Sequence, residues 1–236
     1  MIKPFARPRA IARDAASLGV AESLALAILE HRIAPGAKLG EDEIGEIYGV
    51  SRTVVRAALQ QLTHDQIVQI ERHRGAFVAQ PSLREAREVF EARALLEPRT
   101  ARSAAERTTP EDIAALERHI VNEHAALAAQ DIGRAVRLSG LFHIEISRIA
   151  QQDTIARFIE TLIARSSLII ALHWRRAGAL CESHAHHALI GAMAAHDGQL
   201  AEDLMRSHLV DILSALDLRE AGAPPQSLRA AILGDG

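Results

Sequence analysis

Gly49-Val50-Ser51-Arg52-Thr53-Val54-Val55-Arg56-Ala57-Ala58-Leu59 is the stretch that decides the fold. Glycine reaches positive φ at little steric cost, and serine accepts a hydrogen bond from the unpaired N–H groups that open a helix. Gly49 therefore reads as a turn and Ser51 as an N-cap. In the helix that follows, Arg52 and Arg56 lie four residues apart on one face, whereas Val55, Ala58, Leu59 and Leu62 share another. Upstream, residues 42–48 read as a short helix whose Ile44, Ile47 and Tyr48 are spaced to pack on that apolar face. The two segments predict a helix-turn-helix whose second helix presents arginines to the major groove of DNA.

The next residues sharpen that reading. Ile67-Val68-Gln69-Ile70 and Ala76-Phe77-Val78-Ala79 are β-prone runs separated by the polar loop Glu71-Arg72-His73-Arg74-Gly75. A hairpin with a basic tip directly after a helix-turn-helix describes a winged helix, in which the wing reaches phosphates or the adjacent minor groove.

The chain has 236 residues, of which 48% are hydrophobic and 24% charged, enough for two domains with apolar cores. Its net charge of −3 is a poor guide to partners, because the arginines gather locally at Arg52, Arg56, Arg72 and Arg74. Lys3, Arg7, Arg9 and Arg13 lie on a leading stretch, residues 1–17, read as a flexible arm. No apolar run approaches the ~20 residues that cross a bilayer, and no signal peptide is apparent, so a cytoplasmic protein without a membrane partner is expected. The single cysteine, Cys181, excludes an internal disulfide.

After the short linker Gln80-Pro81-Ser82 the pattern becomes helical, with Ser82 placed as an N-cap. Amphipathic stretches run from Leu83 to Glu106, then from a start at Thr109-Pro110-Glu111-Asp112 to Ala129, and over 132–150, 154–175, 181–196 and 199–218. The fold class is thus mainly α. An N-terminal winged helix-turn-helix at 18–81 precedes an antiparallel all-α bundle at 82–220, and 221–236 forms a C-terminal tail. Nine of the twelve histidines lie after residue 118. His143, His186 and His208 come from three different helices, an arrangement able to hold a divalent metal with an open coordination position. Each taken singly also reads as a surface or hydrogen-bonded histidine.

Three separated motifs in the first domain resemble those of GntR-family transcriptional regulators. They are Ile33-Ala34-Pro35-Gly36-Ala37-Lys38-Leu39, Val50 to Leu59, and Arg74-Gly75-Ala76-Phe77-Val78. Val54 stands where that family often has proline, and Ala57 where it often has glutamate. The resemblance implies that Ser51, Arg52, Thr53 and Arg56 contact DNA from the recognition helix. It also implies wing contacts from Arg74 and Gly75 and a phosphate contact from Lys38. The second domain resembles the FCD-type effector module of one branch of that family. The matching elements are Val89-Phe90-Glu91-Ala92-Arg93-Ala94-Leu95-Leu96-Glu97-Pro98, Phe142-His143, the helix led by His186, and Met205-Arg206-Ser207-His208-Leu209.

That module holds a metal with one aspartate and three histidines, and the resemblance assigns the histidines to His143, His186 and His208. The aspartate position, four residues before His143, is Ser139. Replacing a carboxylate by a hydroxyl shifts the expected metal from hard cations toward Zn²⁺ or Ni²⁺. A metal with an open position attracts carboxylates, and Arg93 resembles an arginine that lines the family's pocket, so a small organic acid is the expected effector; among this chain's own residues Trp174, the only tryptophan, is a candidate wall of that pocket, and His173 or Arg165 a candidate polar contact. Arg93 can equally pair with Glu97 at i, i+4, and Trp174 can equally be core.

The expectation is a homodimeric, ligand-responsive repressor that binds a pseudo-palindromic double-stranded operator. Two alternatives are a metal-dependent hydrolase, and a regulator whose second domain only dimerises. The hydrolase lacks an obvious base, because Glu145 lies about 200° around the helix from His143.

Overall fold

The computed structural model describes residues 8–174 and 183–219. Lys3, Arg7, Cys181 and the expected tail at 221–236 lie outside the described residues. Helix α1 (Pro8–Leu29) is the first described element, so residues 8–17, read from the sequence as part of a flexible arm, are helical. A two-residue strand β1 (Lys38–Leu39) leads into α2 (Glu41–Tyr48) and α3 (Arg52–His64), followed by β2 (Val68–Glu71) and β3 (Gly75–Val78). The sheet order is β1-β3-β2, antiparallel throughout, with Lys38 opposite Phe77 and Val68 opposite Val78. Two residues are too few to show strand alternation, which is why β1 is invisible in the sequence.

Gly49 ends α2 in the left-handed region, at φ 63 and ψ 34, and its N–H caps the carbonyls of Gly45 and Glu46. This turn sets α3 on its course. Val54, Val55, Ala58, Leu59 and Leu62 are buried along α3, joined by Ile44 of α2 and by Val20, Leu24 and Ile28 of α1. Two expectations at the turn need correction. Ser51 has extended N-cap backbone, but its side chain makes no cap hydrogen bond. Ile47 is 69% exposed rather than packed on α3; Tyr48 is half-buried against the core, and its hydroxyl lies 2.8 Å from Ser23 Oγ.

The second domain comprises α4 (Leu83–Ala105), α5 (Pro110–Ala128), α6 (Ile132–Ile149), α7 (Asp153–His173), α8 (Ser183–Ala194) and α9 (Gly198–Ser214). Local chemistry marks their starts: Ser82 caps α4, Thr109 and Asp112 form a capping box on α5, and Asp131 and Asp197 cap α6 and α9. Helix α4 packs along α9, α7 and α6, while α5 lies on α6 and α8. Phe142, Ile146, Leu116, Ile120, Leu189, Met193 and Met205 fill the space between them.

The two domains meet along a seam. Leu168 of α7 is fully buried within the winged-helix core rather than the bundle core. Around it, the Ser167 hydroxyl donates to Leu29 O at 3.3 Å, and His31 Nε2 lies 3.0 Å from Ser167 O. Arg137 of α6 donates to Glu30 at 3.0 Å, and Arg165 of α7 donates to Gln66 O at 2.5 Å and also pairs with Glu85. Gly133 of α6 permits the approach, since a Cβ there would stand 1.8 Å from the backbone oxygen of Glu30. The obstructing atom is main chain and cannot rotate away. Gly133→Ala is therefore expected to cost about 1–3 kcal/mol by overpacking, read as a lower urea midpoint; a wild-type midpoint would show that the seam yields.

Candidate functional site

His143 projects from α6, His186 from α8 and His208 from α9, and all three are buried. His186 Nε2 lies 3.2 Å from His208 Nε2, which lies 3.3 Å from His143 Nε2. A tetrahedral ion with Zn–N bonds of about 2.0–2.1 Å would set its nitrogens about 3.3–3.4 Å apart. The outer nitrogens are oriented by buried carboxylates: Glu97 Oε2 is 2.6 Å from His143 Nδ1, and Glu123 Oε2 is 3.2 Å from His186 Nδ1. A carboxylate at Nδ1 favours the tautomer with its proton there, which turns the Nε2 lone pair inward. Three nitrogens so arranged cannot all be satisfied by one another's protons, a conflict that a cation at their centre would resolve. His208 Nδ1 is buried without a hydrogen-bond partner among the described residues, while Phe142 stacks on His186 at 4.2 Å between centroids.

Glu97 is also gripped by Arg93, at 2.5 Å from Nε and 3.3 Å from Nη2, and Arg93 Nη1 donates to Ser166 Oγ at 3.1 Å. Burial alone would raise the Glu97 carboxyl, but Arg93 and His143 overcome it and hold it at about 2. It stays ionised. Burial pushes the His143 imidazole down against the opposing pull of Glu97, and pushes His208 well down, with the neighbouring histidines adding to the effect.

The three histidines line a cavity of about 110 Å³ together with Arg93, Glu123, Ser139 and Ser166. Its walls include Val136, Ile144, Ile163, Ile170, Trp174 and Ile212, and Leu29, Arg137 and Ser167 of the seam line it as well. Of the residues singled out from the sequence, His143, His186, His208, Ser139, Arg93 and Trp174 are thus brought to one cavity. Arg93 both lines it and pairs with Glu97, in a buried rather than a solvated setting.

Arg165 and His173 are placed differently from the expectation. Arg165 is consumed by the seam, and neither residue lines the cavity. Glu145 pairs with Arg148 on the surface, away from the cavity. Glu97 and Glu123 were not foreseen as partners of the histidines. The i, i+4 spacing to Arg93 hinted at the first, whereas Glu123 meets His186 from 63 positions away and leaves no local signal.

At the other end of the molecule, Arg52, Thr53 and Arg56 are exposed along α3, and Ser51 is exposed at its start. Arg74 and Gly75 are exposed at the wing, where Arg74 pairs with Glu71 and lies over the Phe77 ring at 5.3 Å. Lys38 is exposed on the strand beside them, its Cε 3.8 Å from where a Gly75 Cβ would lie.

A winged helix with arginines exposed on its second helix is thus joined to a helical domain whose largely apolar cavity receives a triangle of histidines. A model of the FCD domain matches residues 88–211, and a model of the gntR family of bacterial regulatory proteins matches residues 16–78. The chain belongs to the GntR family, in the branch that carries an FCD domain. It is 28% identical over 183 residues to the HTH-type transcriptional repressor RspR of Escherichia coli K12, covering 76% of this chain and 79% of that protein. The galactonate operon transcriptional repressor of the same strain is 32% identical over 112 residues, or 38% of this chain and 48% of that one. Among solved structures, E. coli McbR/YncC shares the fold with a TM-score of 0.75 at 22% identity, over 84% of this chain and 95% of that one. No helix among the described residues is long and apolar enough to cross a membrane.

The buried histidines also bear on stability. His31, lowered by burial at the seam, joins His143 and His208 below the ordinary value of 6.5. The unfolded chain takes up protons at these positions near that pH and the folded chain does not, so stability falls as pH drops below it. The urea midpoint of metal-free protein is expected to decrease from pH 7.5 to pH 5.5; an unchanged midpoint would contradict the placement of these rings.

Proposed function

We propose that this protein is a cytoplasmic, ligand-responsive repressor that binds a pseudo-palindromic operator as a homodimer and releases it when a small organic acid enters the bundle cavity. The observation that carries this reading is that one cavity is lined both by the histidine triangle and by Leu29, Arg137 and Ser167 of the seam. A molecule filling it would touch residues that also hold the winged helix in place. Two of its contacts, Ser167 to Leu29 O and Arg137 to Glu30, are side-chain hydrogen bonds that an occupant can remake. Effector binding would then favour one placement of the DNA-binding domains over another.

His143, His186 and His208 would hold a divalent metal through Nε2, with Glu97 and Glu123 supporting two of the rings from behind. Three imidazoles with a hydroxyl, Ser139, in place of a carboxylate suit Zn²⁺ or Ni²⁺ better than Mn²⁺. The metal, when bound, would supply a positive charge to attract a carboxylate. Arg93 contributes less charge than its position implies, because Glu97 already neutralises it. The apolar walls favour an acid with a short carbon body.

On the DNA, Arg52 and Arg56 would read bases, with Ser51 and Thr53 beside them, while Arg74, Gly75 and Lys38 would fix the register of the wing. Two-fold symmetry of the dimer predicts two related half-sites.

Untagged protein dialysed against metal-free buffer is expected to retain close to one Zn²⁺ or Ni²⁺ per chain by elemental analysis, and a His143→Ala/His186→Ala double variant to retain none. Equal metal in both would remove the triangle as the site. Arg52→Ala or Arg56→Ala should each weaken operator binding by about 1–3 kcal/mol; wild-type affinity would move base reading to other residues.

A further inference from the structure

Helix α2 begins with Glu41, Asp42 and Glu43, an unpromising charge to place beside a surface that meets phosphates. Two of these carboxylates each reach across to an arginine of α3. Glu41 accepts from Arg56 Nε with both oxygens, at 2.9 and 2.8 Å. Asp42 Oδ1 lies 2.5 Å from Arg52 Nε. The arginine side chains nonetheless remain 67% exposed at Arg52 and 62% at Arg56.

Both contacts go through Nε, the nitrogen nearest the stem of the side chain. The terminal Nη1 and Nη2 edge, which forks onto O6 and N7 of guanine, is outside the ion pair. The wing differs, because Arg74 meets Glu71 through Nη1 itself. On α3 the carboxylates brace the arginine, whereas on the wing the carboxylate occupies part of the binding edge.

We propose that Glu41 and Asp42 are positioning residues for sequence recognition. They hold Arg56 and Arg52 with their terminal edges presented to guanines of the half-site, and their charge weakens binding to DNA that lacks those guanines. Both effects widen the gap between operator and bulk DNA. An arginine already fixed loses less side-chain freedom on meeting its base, and a carboxylate beside the contact opposes the phosphate attraction behind non-specific binding. Glu41 is the stronger brace, because both its oxygens share the Arg56 Nε–H and its side chain is 34% exposed against 65% for Asp42. This inference rests on the reading that Arg52 and Arg56 contact bases.

The test compares full-length wild type, Glu41→Gln, Glu41→Asp and Arg56→Ala on two duplexes at one salt concentration. One duplex is selected by the wild-type protein from a randomised pool, and the other has the same composition in scrambled order. Glu41→Gln is expected to bind the scrambled duplex more tightly and the selected duplex no better. The selectivity ratio should fall roughly tenfold, within the range of one bidentate base contact. Glu41→Asp keeps the charge but shortens the reach, so it should lose affinity for the selected duplex while leaving the scrambled one unchanged. An equal gain on both duplexes for Glu41→Gln, with wild-type behaviour of Glu41→Asp, would overturn the proposal by reducing Glu41 to a repelling surface charge. If Arg56→Ala weakens both duplexes equally, the base-reading premise itself fails for Arg56, a result separable from any outcome at Glu41.

Discussion

One buried carboxylate, Glu97, organises the histidine side of the FCD domain. Glu97 is 2% exposed and lies between a guanidinium on its own helix and an imidazole on another. An ionised group so deep in a protein is tolerable only when its charge is matched and its lone pairs are used. Arg93 supplies the matching charge, and His143 brings its Nδ1 within 2.6 Å of the carboxylate. The second contact aims the other nitrogen of His143 at His208, and Arg93 in turn fixes the hydroxyl of Ser166 at the cavity wall. The electrostatics of α4 thus reach both the histidine triangle and α7. Removing Arg93 would leave the buried Glu97 charge uncompensated, a far larger disturbance than losing a surface ion pair.

Helix α7 serves two bodies at once. Ile163 and Ser166 line the cavity, Ser167 touches both the cavity and α1, and Leu168 lies in the core of the winged helix. These residues span less than two helical turns. A small rotation of that segment therefore changes the cavity and the seat of the DNA-binding domain together, with no long chain of intermediaries.

How much of this was legible depended on whether the signal was local. The spacing of Arg52, Arg56 and the apolar residues of α3 is a property of one helix, and the winged helix follows from it and from the hairpin runs. The helices of the bundle declared themselves through apolar periodicity and caps such as Ser82 and Thr109. His143, His186 and His208 stood out by resemblance more than by spacing. What the sequence concealed was tertiary. Glu123 has no neighbour in sequence that explains it, and Arg165 looked like a pocket residue because nothing local says that Gln66 and Glu85 would be waiting for it. The early residues of α1 carry scattered arginines and a proline, which resembles a solvated arm, yet from Val20 to Ile28 the same helix supplies part of the winged-helix core.

The placement of Leu168 constrains how this architecture can be rebuilt. Regulators of this kind invite the idea of interchangeable heads and sensors, joined at a linker like the one before Ser82. Here the head is completed by a side chain that belongs to the sensor. Cut at the linker, it would present an unfilled apolar socket to water, and grafted onto a foreign bundle it would need a replacement plug at the same height and angle. An exchange of heads that kept the fold would therefore have to carry a matching plug with it.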